Sequence, residues 1–188
     1  MGLGGIIFLL VFAGLVVVVI AGYNKLVGLR QRSEEAWSDI DVQLKRRTDL
    51  VPNVVETVKG YAAHERGTLD DVIKARNAAM GAQGTADKAA AENMLSGALG
   101  RLIALGEAYP NLKANANFQQ LQTELGDLEN KLAASRRFFN NAVQEYNTGI
   151  QQFPTVLLAP ALGFAPKEFF DVGVEQRKEI SEAPQVKF

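Results

Sequence analysis

The side chains in this sequence that could bind a metal ion are a group of carboxylates and a single histidine. His64 and Glu65 follow Glu56 by about two helical turns. Further carboxylates precede them at Asp39, Asp41 and Asp49. Di-metal helical bundles bind their ions with Glu-x-x-His pairs on facing helices, and this chain has no second histidine for such a pair. Because basic residues at positions 45, 46 and 59 balance the charge, we interpret the carboxylates as a solvated acidic face.

No other combination of residue types predicts catalysis or cofactor binding. The 188 residues include no cysteine and one histidine, which removes thiol chemistry and a histidine-dependent triad within one chain. The segment GAQGTADK, residues 81–88, lacks the pattern of a phosphate-binding loop. No basic stripe interleaved with aromatic residues suggests nucleic acid as a partner. We therefore expect a protein that is not an enzyme and has no catalytic, cofactor-binding or metal-binding residues.

The first charge-free segment has the length of a membrane span. Residues 3–22, LGGIIFLLVFAGLVVVVIAG, contain no Asp, Glu, Lys or Arg, and about 20 apolar residues cross the ~30 Å hydrocarbon core of a bilayer. A cleaved signal peptide is the alternative, but no basic residue precedes the run and the helical pattern continues from Tyr23. We predict an uncleaved single-pass anchor over residues 1–22.

Basic residues near the span predict its orientation. Lys25, Arg30 and Arg32 follow the apolar run, whereas only the α-amino group precedes it. The flank that is rich in lysine and arginine usually stays in the cytoplasm. We therefore expect the N-terminus outside and the larger C-terminal part in the cytoplasm.

Pro52 lies within a heptad pattern of apolar residues that continues on both sides of it. Leu44, Val51 and Val58 are spaced by seven residues, and a loop at the proline would usually shift this phase. A proline costs a helix interior about 3 kcal/mol, so the alternative is a new helix that starts at the capping sequence NVVE. We favour one kinked helix that runs from the membrane to about Glu65, because tertiary packing can outweigh the proline.

Three further helices are predicted after the first one. Gly67 is expected to end the first helix, and the segments GAQGT and YPNLKANAN to connect the others. The three helices are expected at residues 69–80, 86–105 and 118–153. The predicted fold class is all-α, with an N-terminal transmembrane helix that continues into a long antiparallel bundle of about four helices. The bundle is expected to cover residues 23–155.

The first and last helices share the heptad spacing, which predicts antiparallel packing at a crossing angle of about 20°. A register in which paired residue numbers sum to 176 aligns the aromatic side chains best, and a register one heptad away is the alternative. The expected pairs are Arg30–Tyr146, Trp37–Phe139, Leu44–Leu132, Arg47–Glu129, Val51–Leu125 and Val58–Phe118. Arg30 is expected to stack on the Tyr146 ring. For Arg47, an ion pair with Glu129 and a side chain that reaches solvent are both open.

The tail, residues 156–188, is apolar at first and charged at its end. Pro154, Pro160 and Pro166 divide the apolar part, which is too interrupted to form a second span. Residues 175–188 have the composition of a solvated, loose C-terminus.

Path lengths along the helices predict where this tail lies. A long last helix returns Phe153 to the membrane surface, so we expect the tail to contact the membrane interface or a neighbouring subunit. Folding back over Leu26 and Leu29 of its own bundle is the alternative. The tail side chains that we expect to make these contacts are Phe153, Leu157, Leu158, Phe164, Phe169 and Phe170.

Several segments resemble the LemA family of bacterial membrane proteins. The longest is YNKLVGLRQRSEEAWSDIDVQLKRRTDLVPNVVETVKGYAAHE, residues 23–65, and VIKARNAA, YPNLKAN, EYNTGIQQFP and LGFAPKEFF follow in the family's order. The resemblance implies a single span in the bacterial inner membrane, a short external N-terminus, an antiparallel bundle and no established enzymatic activity. Members are often encoded beside a heat-shock membrane metalloprotease, and relatives occur among proteins that shape magnetosome membranes. Many members have His or Asn where this chain has Thr48, so the resemblance carries no metal role to that position.

Three functions are compatible with these features, and we rank them in the following order. The first is an anchored scaffold that assembles with copies of itself and organises or shapes the lipid bilayer. The second is an adaptor for another membrane protein, such as a protease. The third is a ligand-sensing bundle, which would need a polar pocket for which the heptads leave little room. The helical residues expected to form the interacting core are Trp37, Leu44, Arg47, Pro52, Leu132 and Phe139.

Overall fold

The computed structural model describes residues 2–170, and within them the chain folds into α-helices with no β-strand. The helices are α1, Leu3–Lys59; α2, Arg66–Gly81; α3, Gly84–Glu107; α4, Pro110–Lys113; and α5, Ala116–Gln151, followed by a 3₁₀ helix at Thr155–Leu157. The all-α fold class predicted from the sequence is confirmed. The predicted loose C-terminus, residues 175–188, lies outside the described residues.

The described residues form two compact units. Unit 1 contains the chain up to Asp39 together with Arg137–Phe169, and unit 2 contains Ile40–Arg136 together with Phe170. The long helices α1 and α5 therefore each contribute to both units.

The first helix continues through Pro52, as the unbroken heptad predicted. Pro52 is exposed, whereas Val51, Val54 and Val58 beside it are buried in the core of unit 2. Full burial of one such side chain stabilises a fold by about 1.5–3 kcal/mol, so two of them offset the ~3 kcal/mol cost of an internal proline. Tertiary packing thus keeps the helix continuous.

The same helix ends earlier than the sequence predicted. It stops at Lys59 rather than near Glu65, and the Tyr61 and Ala62 N–H groups close a turn by donating to the Val58 carbonyl. The expectation that Gly67 ends this helix was wrong, because Gly67 lies in the first turn of α2.

The connection between the second and third helices is shorter than predicted. Only Ala82 and Gln83 separate α2 from α3. Gly84 has φ of +76°, a left-handed conformation that glycine adopts at no steric cost. This glycine turns the chain directly into α3.

A short helix, α4, occupies the segment that was expected to be an irregular connection. Pro110 stands at its first turn, where the missing N–H costs nothing, and Leu112 is fully buried. The side chain of Asn115 then caps α5, because its Oδ1 accepts a 3.0 Å hydrogen bond from the Phe118 N–H. The Tyr109 hydroxyl donates to Glu65 over 3.1 Å and ties α4 to the turn before α2.

The core of unit 2 contains side chains from all five helices. The predicted pair Val51 and Leu125 lies in this core, as does the pair Val58 and Phe118. The other large members are Val54, Leu69, Val72, Leu95, Leu99, Leu102 and Leu112.

In unit 1, α1 and α5 pack antiparallel. The rings of Trp37 and Phe139 lie 5.2 Å apart at 53°, which confirms this predicted pair. Farther towards the start of α1, Leu26 packs with Tyr146 and Ile150. All these pairings have residue numbers near the predicted sum, so the register holds within the unit.

The predicted neighbours Arg30 and Tyr146 both gain partners from the chain after α5. Arg30 is close enough to Tyr146 for its charge to act on the phenol, and its guanidinium lies over the Phe164 ring, 5.1 Å from the centroid. The Lys167 ammonium approaches the Tyr146 ring at 5.7 Å. The chain after α5 thus returns to this part of unit 1, which the helix pairing alone could not show.

A methyl group at Gly106 would overlap the buried ring of Phe118. A Cβ built at Gly106 lies 2.5 Å from the Phe118 Cζ atom. We expect Gly106→Ala to lower the free energy of unfolding by about 1–3 kcal/mol, because the core must shift to accept the added carbon. Urea unfolding of the full chain in detergent, followed by circular dichroism, measures this loss.

Gly100→Ala on the same helix is the matched control. Nothing lies within 4 Å of a Cβ at Gly100, so this change should stabilise the helix by about 0.5–1 kcal/mol through reduced backbone entropy. Equal effects of the two substitutions would contradict a tight contact at Gly106.

Candidate functional site

The first part of α1 is the one segment within residues 2–170 that is long and apolar enough to cross a membrane. Its most apolar 18-residue window has a mean hydropathy of 3.1, and none of this window is buried. Large apolar side chains such as Phe8, Leu10 and Val17 are exposed. A helix that is apolar on all sides and unburied requires an apolar solvent.

Within unit 1, the chain after α5 returns to the end of this apolar segment. A Cβ built at Gly22 would lie 3.1 Å from the Cγ2 atom of Thr155. One residue further, the Tyr23 ring meets the Phe164 ring edge-on, with centroids 5.7 Å apart. The tail therefore lies level with the last residues of the candidate span.

Hydrogen bonds from α5 hold the tail in this place. The Asn147 amide donates to the Lys167 carbonyl and accepts from the Lys167 N–H, both over 2.9 Å. The Tyr146 hydroxyl donates to the Ala165 carbonyl over 2.9 Å. Burial raises the pKa of the Tyr146 phenol, so the phenol keeps the proton that it donates.

A lysine at the end of the tail is bound by the first helix. The Lys167 ammonium donates to the Ser33 hydroxyl over 2.7 Å and pairs with the Glu34 carboxylate at 3.3 Å. Ser33 is fully buried. The attachment thus uses polar side chains from both α1 and α5.

The tail has one face directed inward and one exposed. Ala159 and Phe164 are buried, and the Thr155 hydroxyl donates to the Gly149 carbonyl over 2.6 Å. The outer face, which we call the tail surface, consists of the exposed side chains Phe153, Val156, Leu157, Leu162 and Phe169. Phe153 is 80 % exposed and Leu157 is 71 % exposed, values that are unusual for large apolar side chains grouped together.

Unit 2 contains a different feature, a cluster of four charged side chains of which Arg47 and Glu92 are buried and Glu129 is partly exposed. Arg47 forms an ion pair with Glu92, and its guanidinium lies 2.7 Å from Glu129. The Arg136 guanidinium lies 3.6 Å from Glu92 and 3.7 Å from Glu129. Two cations and two anions balance, as buried charges require. For Arg47, the ion pair is the alternative that the structure shows.

The Glu92 carboxyl is the most constrained member of this cluster. It is 1 % exposed, and burial raises its pKa although Arg47 and Arg136 act to lower it. Its Oε2 atom has no hydrogen-bond partner. The cost of removing the charge from water therefore exceeds the gain from the two guanidinium groups.

A groove of about 420 Å³ lies beside Glu92 in unit 2. Ion pairs stand at its walls, Lys88 with Asp41 and Lys45 with Asp49. Among residues 2–170, no group of three or more His, Cys, Asp or Glu side chains could hold a metal ion.

The helical residues that the sequence predicted to form the interacting core occupy three kinds of position. Trp37 and Phe139 pack against each other with tilted rings, and Arg47 joins the charge cluster. Leu132 is fully buried, whereas its predicted partner Leu44 is half-buried and lines the groove beside Glu92.

The residues selected from the tail divide between the inner and outer faces. Phe164 and Phe170 are buried, and the Phe170 ring lies 5.6 Å from the Arg136 guanidinium carbon in unit 2. Leu158 is half-buried. The other three, Phe153, Leu157 and Phe169, belong to the tail surface.

The sequence analysis missed Glu92, Arg136, Asn147 and Lys167. For Glu92 a signal was available, because it lies three and seven residues before Leu95 and Leu99 and thus on the apolar stripe of α3. No comparable signal distinguished Asn147 from other polar residues of α5.

Over residues 2–170, these features define an all-α protein with one candidate membrane span, a core of packed helices and buried charges that pair with each other. The chain belongs to the LemA family, whose profile matches residues 36–188. The resemblance found in the sequence is therefore confirmed.

Three relatives show how the similarity is distributed. Magnetosome protein MamQ of Magnetospirillum gryphiswaldense is 27 % identical over 79 % of this chain and 64 % of its own length. Magnetosome protein MamQ 2 of Paramagnetospirillum magneticum is 26 % identical over 86 % of this chain and 67 % of its own length. Protein LemA of Metamycoplasma hominis is 26 % identical over 93 % of this chain and 78 % of its own length. The chain thus spans about two thirds of the length of the two magnetosome proteins.

Removing the amide of Asn147 should release the tail. The variant Asn147→Ala leaves the N–H and C=O groups of Lys167 without their partner, at a cost of about 1–3 kcal/mol where they stay buried. We expect faster amide hydrogen exchange around residues 164–167, measured by mass spectrometry on the full chain in detergent. Asn141→Ala, an exposed asparagine on the same helix, is the control and should leave exchange unchanged. Equal protection in both variants would contradict this attachment.

The raised pKa of Glu92 predicts a pH dependence of stability. Above pH 4.5, the ordinary pKa of this carboxyl, the unfolded chain releases the proton while the folded chain retains it. The free energy of unfolding therefore falls as pH rises from 4.5 through the folded pKa, by at most about 1.4 kcal/mol per pH unit. Glu92→Gln removes this loss, so the stability of the unmodified protein relative to this variant should decrease with rising pH.

Urea unfolding at a series of pH values measures that difference. Glu129→Gln is the control, because the side chain of Glu129 is 46 % exposed although it contacts the same two arginines. A relative stability that increases with pH would show that the guanidinium groups outweigh burial at Glu92.

Proposed function

We propose that this protein is a non-enzymatic, membrane-anchored scaffold that assembles with copies of itself and organises or shapes the membrane. The observation that carries the proposal is the continuity of α1. The candidate span and the first helix of unit 1 are one uninterrupted helix, and Leu26, four residues after Gly22, is already buried in the core of unit 1. A domain on a flexible linker can move freely, whereas a shared helix fixes unit 1 to its anchor.

The use of polar side chains within the described residues supports a scaffold rather than an enzyme. Arg47 and Arg136 are neutralised by Glu92 and Glu129 in unit 2. Asn147 and Lys167 bind the chain's own backbone and side chains in unit 1. Titratable side chains also line the groove beside Glu92, but Lys88 pairs with Asp41 and Lys45 with Asp49 at its walls, whereas catalytic groups must converge on a substrate.

The family relationship supports association with a membrane. Two of the relatives are named as magnetosome proteins, and we extend to this chain only the location at a membrane. Lys25, Arg30 and Arg32 follow the apolar run and favour an external N-terminus with the part of the chain after the span in the cytoplasm. We place the protein in the bacterial inner membrane on these grounds.

The proposal is tested by mass and by membrane shape. Native mass spectrometry of the detergent-extracted full chain should show homo-oligomers, and reconstitution into vesicles should change their shape in proportion to protein density, as seen by electron microscopy. The matched control inserts a short flexible Gly-Ser segment between Gly22 and Tyr23, which uncouples unit 1 from its anchor and should abolish the shape change.

Two results would overturn the proposal. A monomer that leaves vesicles unchanged would remove the scaffold function. A second protein that co-purifies in fixed stoichiometry from native membranes, in place of further copies of this chain, would show an adaptor.

A further inference from the structure

We propose that the tail surface, formed by Phe153, Val156, Leu157, Leu162 and Phe169, inserts into the lipid interface beside α1 and is a second membrane contact of this chain. The inference rests on the proposed membrane anchoring and adds to it a lipid-binding surface outside the span. Its partner is the boundary between lipid headgroups and acyl chains.

The position of the tail places this surface at the correct depth. Thr155 lies between Phe153 and Leu157 in the chain. Its Cγ2 atom would lie 3.1 Å from a Cβ built at Gly22, the last residue of the predicted span. Tyr23, whose ring contacts Phe164, is of the residue type that concentrates at membrane–water interfaces. A bilayer around residues 3–22 therefore ends at the level of the tail surface.

The composition of the segment suits an interface. No Asp, Glu, Lys or Arg occurs between Glu145 and Lys167. Insertion of Phe153, Val156, Leu157 and Leu162, which lie within this stretch, therefore moves no charged side chain out of water, which is the largest cost of entering lipid. Phe169 lies outside the stretch, after Lys167 and Glu168. The two charged residues that flank the stretch form ion pairs within unit 1, Glu145 with Arg32 at 2.8 Å and Lys167 with Glu34.

The backbone is also prepared for a medium that offers few hydrogen-bond partners. The N–H groups of residues 156–159 and 162–164 all donate to carbonyls within residues 152–160. The three prolines of the segment, at positions 154, 160 and 166, have no N–H to satisfy. Irregular backbone is tolerated near lipid only when its polar groups are satisfied in this way.

Lipid accounts for the exposed side chains without a further partner. Ala159 and Phe164 on the inner face are buried against the protein, whereas the apolar side chains of the outer face are exposed, so the tail carries apolar side chains on both faces. Apolar side chains directed away from the protein, beside an unburied apolar helix, share the medium that the helix requires. We therefore favour lipid over a second copy of the chain as the occupant of this surface.

The absence of cysteine from the sequence allows a direct measurement of depth. Leu157→Cys in the full chain, labelled with a nitroxide and reconstituted into phosphatidylcholine vesicles, reports collision with oxygen, which enters lipid, and with a nickel chelate, which stays in water. We expect high oxygen and low nickel accessibility at this position. Met94→Cys, an exposed position on α3 in unit 2, is the matched control and should show the opposite.

The other outcomes of the accessibility measurement overturn the inference. The scaffold proposal can still be tested separately. High nickel accessibility at position 157 would place the tail surface in water. Low accessibility to both reagents would show that protein, such as a second copy, covers it. In either case, oligomers that still reshape vesicles would keep the scaffold function.

A second variant needs no nitroxide label and tests whether the tail surface contributes to the effect on vesicle shape. Phe153→Ser combined with Leu157→Ser changes two exposed side chains, so the fold should persist. We expect the variant to retain its oligomeric mass and to lose part of its effect on vesicle shape. An unchanged effect on vesicles would contradict a contribution of the tail surface.

Discussion

The antiparallel packing of α1 against α5 is the interaction on which the other features of this protein depend. In unit 2 it buries Val51 and Val58 with Leu125 and Phe118, and this burial keeps α1 helical through Pro52. In unit 1 it packs Trp37 against Phe139 and forms the surface that the tail covers. Without this packing, the proline would end the helix and the tail would have no site of attachment.

The buried charges make this packing specific for one register. Arg47 meets Glu129 in the observed register. A slip of one heptad would place Arg47 opposite Arg136 or Gln122, and an arginine buried against another cation or a neutral amide is destabilising. The apolar heptads tolerate such a slip, since they present similar side chains every seven residues. The contact of Arg47 with Glu129 therefore favours the observed register over one that hydrophobic packing also permits.

The tail shows how one short segment combines attachment and exposure. Its prolines prevent a regular helix, and local hydrogen bonds satisfy the backbone instead. The Asn147 side chain donates one hydrogen bond to the Lys167 backbone and accepts another from it, as the backbone of a neighbouring β-strand would. Because these polar contacts fix the segment, its large apolar side chains need not all be buried for it to stay in place.

The sequence by itself determined the helical fold, the candidate span, the continuity of α1 and the pairing of Trp37 with Phe139, because hydrophobic periodicity and charge-free length are local properties of the chain. It did not determine that α1 ends at Lys59, where the Tyr61 and Ala62 N–H groups close a turn on the Val58 carbonyl. Only the tertiary structure brought Glu92 to Arg47 and divided the tail into two faces. Those features depend on contacts between residues far apart in the chain, 45 positions for Arg47 and Glu92 and 134 for Ser33 and Lys167, and such distances leave no periodic pattern in the sequence.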